Sequence, residues 1–146
     1  MKYSIRPAVN KDKESIIKLM KEHALFEGHN LQFSKQHEQL DNITELPVTI
    51  FVVDANNKLY GYMSVIKQFS TWDMDWYFYL DCLYLTEETR GQKIGHKLMQ
   101  QLKVISKENK INTIQWQTPK ENLSAIAFYK KFNTTNKEKA RFFWGI

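Results

Sequence analysis

One cysteine, three prolines and five glycines in 146 residues exclude several architectures at once. Cys82 alone cannot form an intrachain disulfide, so a stapled secreted scaffold is ruled out and a reducing, cytoplasmic setting is expected. With so little proline and glycine, no linker, repeat or low-complexity segment stands out. No apolar run approaches membrane-spanning length, and the opening MKYSIRPAVNKDKES lacks an apolar signal-peptide core, so no membrane partner is expected. No block of five like charges occurs. The net charge of +5, from 21 Lys+Arg against 16 Asp+Glu, is scattered, with mild concentrations at Lys93–Lys110 and Lys130–Arg141. Scatter argues against a nucleic-acid face and leaves an anionic cofactor or plain solubility. His23, His29, His37 and His96 show no ligand spacing to Cys82 or to paired carboxylates, so no metal is expected. No Ser-His-Asp arrangement stands out, and Cys82 lies in an apolar strand, a poor place for a nucleophile.

What is present is a core-forming composition, 42% hydrophobic and 14% aromatic. The length suits one domain spanning residues 1–146. Tyr3 to Arg6 reads as a short strand closed by Pro7. Asn10 or Asp12 is placed to cap a helix with apolar positions Ile16, Ile17, Leu19, Met20, Ala24 and Leu25, stopping near Gly28. Ser34 and Glu38 predict a second, short helix to about Asn42. Val48 to Val53 and Leu59 to Phe69 are strands joined by the turn cluster DANNK. A polar loop with Trp72, Asp73, Asp75 and Trp76 leads to a long strand, Tyr77 to Leu85. A helix follows to about Asn109. Thr113 to Gln117 is a strand broken by Pro119. Asn122 starts a helix that Asn133 can end in the left-handed conformation, and Arg141 to Ile146 is a last strand. The predicted order is β-α-α-β-β-β-α-β-α-β. Hairpins followed by one crossover give an α/β (α+β) fold with a mixed, mostly antiparallel twisted sheet and about four helices.

Two stretches carry chemistry. Tyr77 to Gln101 is an apolar strand, a loop ending in RGQKIG (Arg90 to Gly95), and a helix whose Ile94, Leu98, Leu102 and Ile105 share one face. Glycine lets a backbone pass close to a ligand. The unpaired N–H groups of the first helical turn then favour an anion, a pyrophosphate above all. By itself the stretch is a weak signal that fits a connecting loop better than an anion site. The second is residues 122–133, NLSAIAFYKKFN, an N-x-x-A-x-x-x-Y pattern that puts Ala125 and Tyr129 on one helix face. Alone, Asn122 is compatible with a simple N-cap and Tyr129 with a core aromatic.

Together, in this order and with a strand between them, the two stretches resemble the Gcn5-related N-acetyltransferase (GNAT) superfamily over nearly the whole chain. Ile5-Arg6-Pro7-Ala8, Tyr79-Leu80-Asp81 and the Ala125–Lys131 helix are similar to the diamine (spermidine/spermine or thialysine) acetyltransferase branch. The resemblance implies acetyl-CoA as donor, a small-molecule primary amine as acceptor, and a homodimer, since dimers are common in this family. It implies that the backbone of Leu83, Tyr84 and Leu85 pairs with the pantetheine arm as an added strand. Arg90, Gly91, Gln92, Lys93, Ile94, Gly95 and His96 would wrap the pyrophosphate, with Asn122 and Ala125 lining the pantetheine. Tyr129 matches the family tyrosine that protonates the leaving thiolate. Asp81 matches a carboxylate, usually glutamate, that helps deprotonate the amine. Lys93 stands where the family loop has its first glycine; the loop still cradles phosphate provided Lys93 keeps a negative φ. Asn133 replaces a usual glycine.

The chemistry is consistent with these roles. An alkylamine with a pKa near ~10 must lose a proton before attack, at a cost of about 4 kcal/mol. A carboxylate set among Tyr, Phe, Leu and Cys has a raised pKa and accepts that proton through water. Direct transfer then needs positioning, donors to the carbonyl oxygen and an acid for sulfur. For a cationic acceptor the candidates are Phe26 and Glu27 at the end of the first helix, Asp73, Asp75 and Trp76 before the central strand, and Asp81 within it, with Trp72 and Trp76 offering cation–π faces. The same residues are compatible with ordinary loop acids over packed tryptophans. Acetylation of peptide or protein amines, and a non-catalytic acetyl-CoA-binding regulator, are the alternatives; Tyr129 disfavours the regulator.

Overall fold

The structure, a computed structural model, describes residues 1–31 and 37–146. It divides into two compact units, Met1–Trp116 and Gln117–Ile146. In the first, β1 (Ser4–Pro7), β2 (Thr49–Ala55), β3 (Lys58–Ser70), β4 (Asp75–Leu85) and β5 (Ile114–Gln115) form a five-stranded sheet in chain order. All neighbours are antiparallel except β4 and β5, which are parallel because α2 (Ile94–Glu108) carries the chain across between them. Helix α1 is Lys13–Phe26 and α3, in the second unit, is Leu123–Lys130, making three α-helices among the described residues. No helix among them is long and apolar enough to cross a membrane.

The two long helices form because their apolar residues recur on one face. Ile16, Ile17, Leu19 and Ala24 bury the inner stripe of α1, while Leu25 stays exposed. Ile16 and Leu19 pack with Ile50, Val52, Leu59, Tyr62 and Tyr84 of the sheet. On β2 the intervening residues Phe51 and Val53 are buried too, so the sheet is covered on both faces, and the strand reads as a continuous apolar run. In α2, Ile94, Leu98 and Leu102 are almost wholly buried.

Arg6 ties the first elements together. Its guanidinium donates to both carboxylate oxygens of Asp12, at 2.7 and 3.0 Å, and to Asp54 Oδ2 at 2.7 and 2.9 Å. One side chain thereby links β1, the start of α1 and β2. Neither Asn10 nor Asp12 caps α1 through its side chain as the sequence pattern suggests. Asp12 faces Arg6 and accepts from the Val9 amide, and Asn10 accepts from the Ile43 amide across the chain. Long-range partners outcompete the local cap.

Three element expectations change. Ser34 lies outside the described residues, and the described part of the expected second helix holds only a 3-10 turn at His37–Leu40, with another beyond it at Ile43–Glu45. The strand expected at 113–117 shortens to Ile114–Gln115. Arg141 to Ile146, expected as a strand, is irregular, with Phe142, Phe143 and Trp144 exposed. Its composition favours a strand, but a strand exists only through a ladder, and these residues have none within their unit. Asn133 does take the left-handed conformation, φ 56°, just beyond α3.

Hydrogen bonding to Arg6, opposed by burial, holds the Asp12 carboxyl below the usual range. A depressed folded pKa stabilises the fold above the unfolded value, about 4, and that stability is lost as pH falls through the folded value. Asp12→Asn should therefore cost about 1.5–3 kcal/mol at neutral pH, the range for hydrogen bonds to charged groups. In urea titrations the gap from the native protein should close as pH drops below about 4.

Candidate functional site

The site begins with a slip in the β3–β4 ladder. Pairing runs from Gly61↔Leu85 to Ser64↔Cys82, then resumes at Val65↔Leu80, leaving Asp81 as one extra residue on β4. This is a β-bulge, which bends and twists its strand. The Ser64 hydroxyl fills the gap: it accepts from the Cys82 amide at 3.1 Å and reaches Asp81 Oδ2 at 3.5 Å. On the other side of β4, β5 pairs only with Phe78 and Tyr79, short of the bulge.

Beyond Tyr79, β4 has no strand partner on that side among the described residues. The Thr86 amide donates to the Tyr60 carbonyl at 2.9 Å, so alternate residues inward along β4 also face β3. By the antiparallel alternation, Leu83 and Leu85 turn their backbone groups outward and Tyr84 turns inward. The Leu85 carbonyl accepts from Arg90 Nε at 3.1 Å. The Arg90 guanidinium lies 4.3 Å over the Phe26 ring and 5.8 Å from that of Tyr84. Phe26 and Arg90, candidates for different ligands, thus touch each other.

The loop from Thr86 to Lys93 is built on backbone bonds. Buried Thr89 donates to the Thr86 carbonyl at 2.8 Å, and Gln92 Nε2 donates to the Glu88 carbonyl at 2.8 Å. Gly91 has φ 76°, which glycine adopts freely, and Lys93 has φ 62°. The negative φ expected for Lys93 is not what forms. The loop needs a left-handed residue to enter α2, and lysine adopts that conformation at a cost of about 1–2 kcal/mol. Ile94, Gly95 and His96 follow as the first turn of α2, which contains no acidic residue.

A cavity of about 410 Å³ opens between α1, the 3-10 turns and the sheet. Glu27 and Asp81 both line it, together with His23, Tyr62, Ser64 and Cys82. Asp81 is exposed on the bulge, so the apolar surroundings expected from its strand neighbours are not what it meets. Burial, then the nearby Asp81 charge, pushes the Cys82 thiol up to about 11, keeping it protonated at neutral pH. Asp73, Asp75 and Trp76 do not reach this cavity. They sit at the tip of the β3–β4 hairpin, where Asp73 accepts from Ser70 and Asp75 from the Trp76 amide, each at 2.8 Å. Lys67 already lies over the Trp76 ring at 4.9 Å, and Trp72 is 94% exposed. A second groove of about 590 Å³, near Lys18, Glu22, Lys58 and Glu88, contains the Lys58–Glu88 ion pair at 3.0 Å. Among the described residues no group of three His, Cys, Asp or Glu side chains could hold a metal.

In the second unit Asn122 is the N-cap of α3, its Oδ1 accepting from the Ala125 amide at 3.2 Å. Tyr129 lies one turn beyond Ala125 on that helix, beside Phe128.

With these features in place, the comparisons with known proteins are decisive. The acetyltransferase (GNAT) family model matches residues 16–133. The chain belongs to the GNAT acetyltransferase family. Among solved structures, a possible acetyltransferase from Clostridium difficile 630 is 20% identical with a TM-score of 0.84, covering 99% of this chain and 97% of its own. An aminoglycoside acetyltransferase from an uncultured soil metagenomic sample, in complex with trehalose, is 20% identical with a TM-score of 0.80, over 99% and 95%. Glucosamine-6-phosphate N-acetyltransferase from Arabidopsis thaliana is 18% identical with a TM-score of 0.79, over 99% of each chain. At such identities the likeness establishes the fold. No curated protein matches the sequence.

His23, Tyr62 and Ser64 were not singled out as chemical residues by the sequence patterns. Only His23 left a signal: it stands four residues before Glu27, on the same face of α1. The strained Lys93 gives a direct test of the loop. Lys93→Gly should stabilise the protein by about 1 kcal/mol, raising Tm by about 2–4 °C. Differential scanning calorimetry reads the shift.

Proposed function

We propose that this GNAT protein transfers an acetyl group from acetyl-CoA to a primary amine on a small cationic molecule. The observation that carries the reading is the cavity holding Glu27 and Asp81 directly beside the open, bulged edge of β4. The outward backbone groups of Leu83 and Leu85 suit an extended amide-bearing arm such as pantetheine. Because Lys93 is left-handed, the support for a pyrophosphate comes from the first turn of α2, Ile94 to His96, which is free of acidic residues. Arg90 leaves the Leu85 carbonyl when the arm pairs there. These features fit acetyl-CoA, which supplies the activated acetyl thioester. The structural relatives include acetyltransferases named for an aminoglycoside, for glucosamine-6-phosphate and for a ribosomal-protein alanine, so the choice of a small cationic acceptor rests on the cavity's carboxylates.

In this reading Asp81 takes up the amine's proton, directly or through water, and Glu27, which lines the same cavity, attracts the acceptor's positive charge. Tyr129 donates its hydroxyl proton to the departing thiolate, as the family pattern implies. Carboxylates facing a half-enclosed cavity favour a diamine or polyamine in a protein whose overall charge would repel one.

Thiol release from acetyl-CoA across a panel of spermidine, thialysine, lysine, an aminoglycoside and short peptides tests the reading. Release with none of them would overturn it. Glu27→Gln should raise KM for a diamine several-fold while KM for a neutral-tailed amine stays put, and the difference should shrink with salt. Equal effects on both amines would remove Glu27 from acceptor recognition. Tyr129→Phe should lower kcat by about 10²-fold with little change in KM for acetyl-CoA, because its proton is needed only as charge develops on sulfur. An unchanged kcat would leave Tyr129 as packing.

A further inference from the structure

Acetyl transfer to an ammonium releases a proton. The N–C bond forms and the C–S bond breaks. Of the two N–H protons lost, one goes to the departing sulfur and the other must reach solvent. The need for a route for that second proton rests on the acetyl-transfer function proposed for this protein.

A string of polar side chains runs along the cavity wall. At the bulge, Cys82 Sγ lies 3.8 Å from Asp81 Oδ2, and Tyr62 lines the same cavity as both. The Tyr62 hydroxyl is 2.9 Å from Nδ1 of His23. Nε2 of His23 is 3.3 Å from Glu27 Oε1. Tyr62 is 3% exposed and the Glu27 side chain 37%, so the string leads from the interior to the surface. The His23 ring stacks on Tyr84, centroids 5.1 Å apart and planes 21° from parallel, which fixes its orientation. All of these groups except Tyr84 line the same cavity.

We propose that Tyr62, His23 and Glu27 form the exit route for the proton released at the acceptor amine. With the imidazole proton on Nε2, the Tyr62 O–H donates to Nδ1 and Nε2–H donates to Glu27. A proton arriving at the Tyr62 oxygen from the cavity, from Asp81 or an intervening water, displaces the hydroxyl proton to Nδ1. The Nε2 proton then passes to the Glu27 carboxylate, and from there to water. Imidazole is suited to the middle position because one nitrogen accepts as the other donates near neutral pH. Tyr62 gains a proton as it gives one up and never becomes a phenolate, consistent with the strong upward push that burial exerts on its hydroxyl. His23 and Glu27 act through Tyr62 and are relay residues, distinct from the groups that touch the reacting atoms.

The test measures kcat for thiol release with a saturating neutral-tailed amine in dilute buffer. Tyr62→Phe and His23→Gln should each lower kcat by about 10²-fold, with KM for acetyl-CoA unchanged. The double variant should be no slower than the slower single one, because cutting one chain twice interrupts it once. A high concentration of a small diffusible buffer such as imidazole should restore the variants and leave the native enzyme unaffected. Glu27→Gln, at a half-exposed position that tolerates the change, should show the same buffer-restored loss even if the buried variants fail to fold. Native kcat in the single variants, losses that multiply in the double variant, or losses that buffer does not relieve would each overturn the relay. A native protein that releases no thiol with any amine would overturn the acetyl-transfer reading and the relay with it; an active native protein with unaffected variants overturns the relay alone.

Discussion

One extra residue in β4 sets the geometry around the cavity between α1 and the sheet. Where Asp81 is inserted, the ladder with β3 loses register, and the Ser64 hydroxyl takes the place of a ladder bond. The bend turns Asp81 toward the cavity and coincides with the end of β5 pairing. The bulge supplies the carboxylate, and the shortness of β5 leaves the neighbouring strand edge with outward-facing groups. The strand is held firmly beyond the bulge. A Cβ on Gly61 would sit 2.5 Å from the Tyr84 carbonyl oxygen and 2.6 Å from Leu85 Cδ2, so glycine there lets β3 press close against β4.

The polar groups around the bulge are arranged so that burial has a use. Tyr62 is deep in the α1-side core, yet its hydroxyl meets His23 Nδ1 at 2.9 Å. A buried hydroxyl without partners would be costly, and the buried side-chain polar atoms among the described residues all have hydrogen bonds. At the other end of the sheet, Arg6 does the corresponding structural work with Asp12 and Asp54. The same rule, that polar groups are buried only with partners, anchors the fold in one place and lines a cavity in the other.

The loop before α2 shows where this chain departs from its family's usual pattern. A left-handed residue is needed at position 93, and glycine would occupy it without strain. Lysine there carries a backbone cost of about 1–2 kcal/mol at the entry to α2.

Local pattern was enough for much of the chain. Apolar spacing marked α1 and α2, β-branched and aromatic runs marked β2 to β4, and the RGQKIG loop with the NLSAIAFYKKFN helix marked the family. Those signals are legible because helix periodicity, turn chemistry and a short motif are all read within a few residues. The bulge was not legible, because a register slip belongs to two strands at once and neither shows it alone. Nor was the fate of the acids: Glu27 and Asp81 reach one cavity, whereas Asp73 and Asp75 stay at a hairpin tip, a sorting made by how far the β3–β4 ladder extends. The strand expected at 141–146 failed for the same reason, since pairing is a property of partners and not of composition. His23 and Tyr62, 39 residues apart, meet only because α1 packs across β3. Sequence determined the elements and the family; the three-dimensional packing decided which side chains share a site.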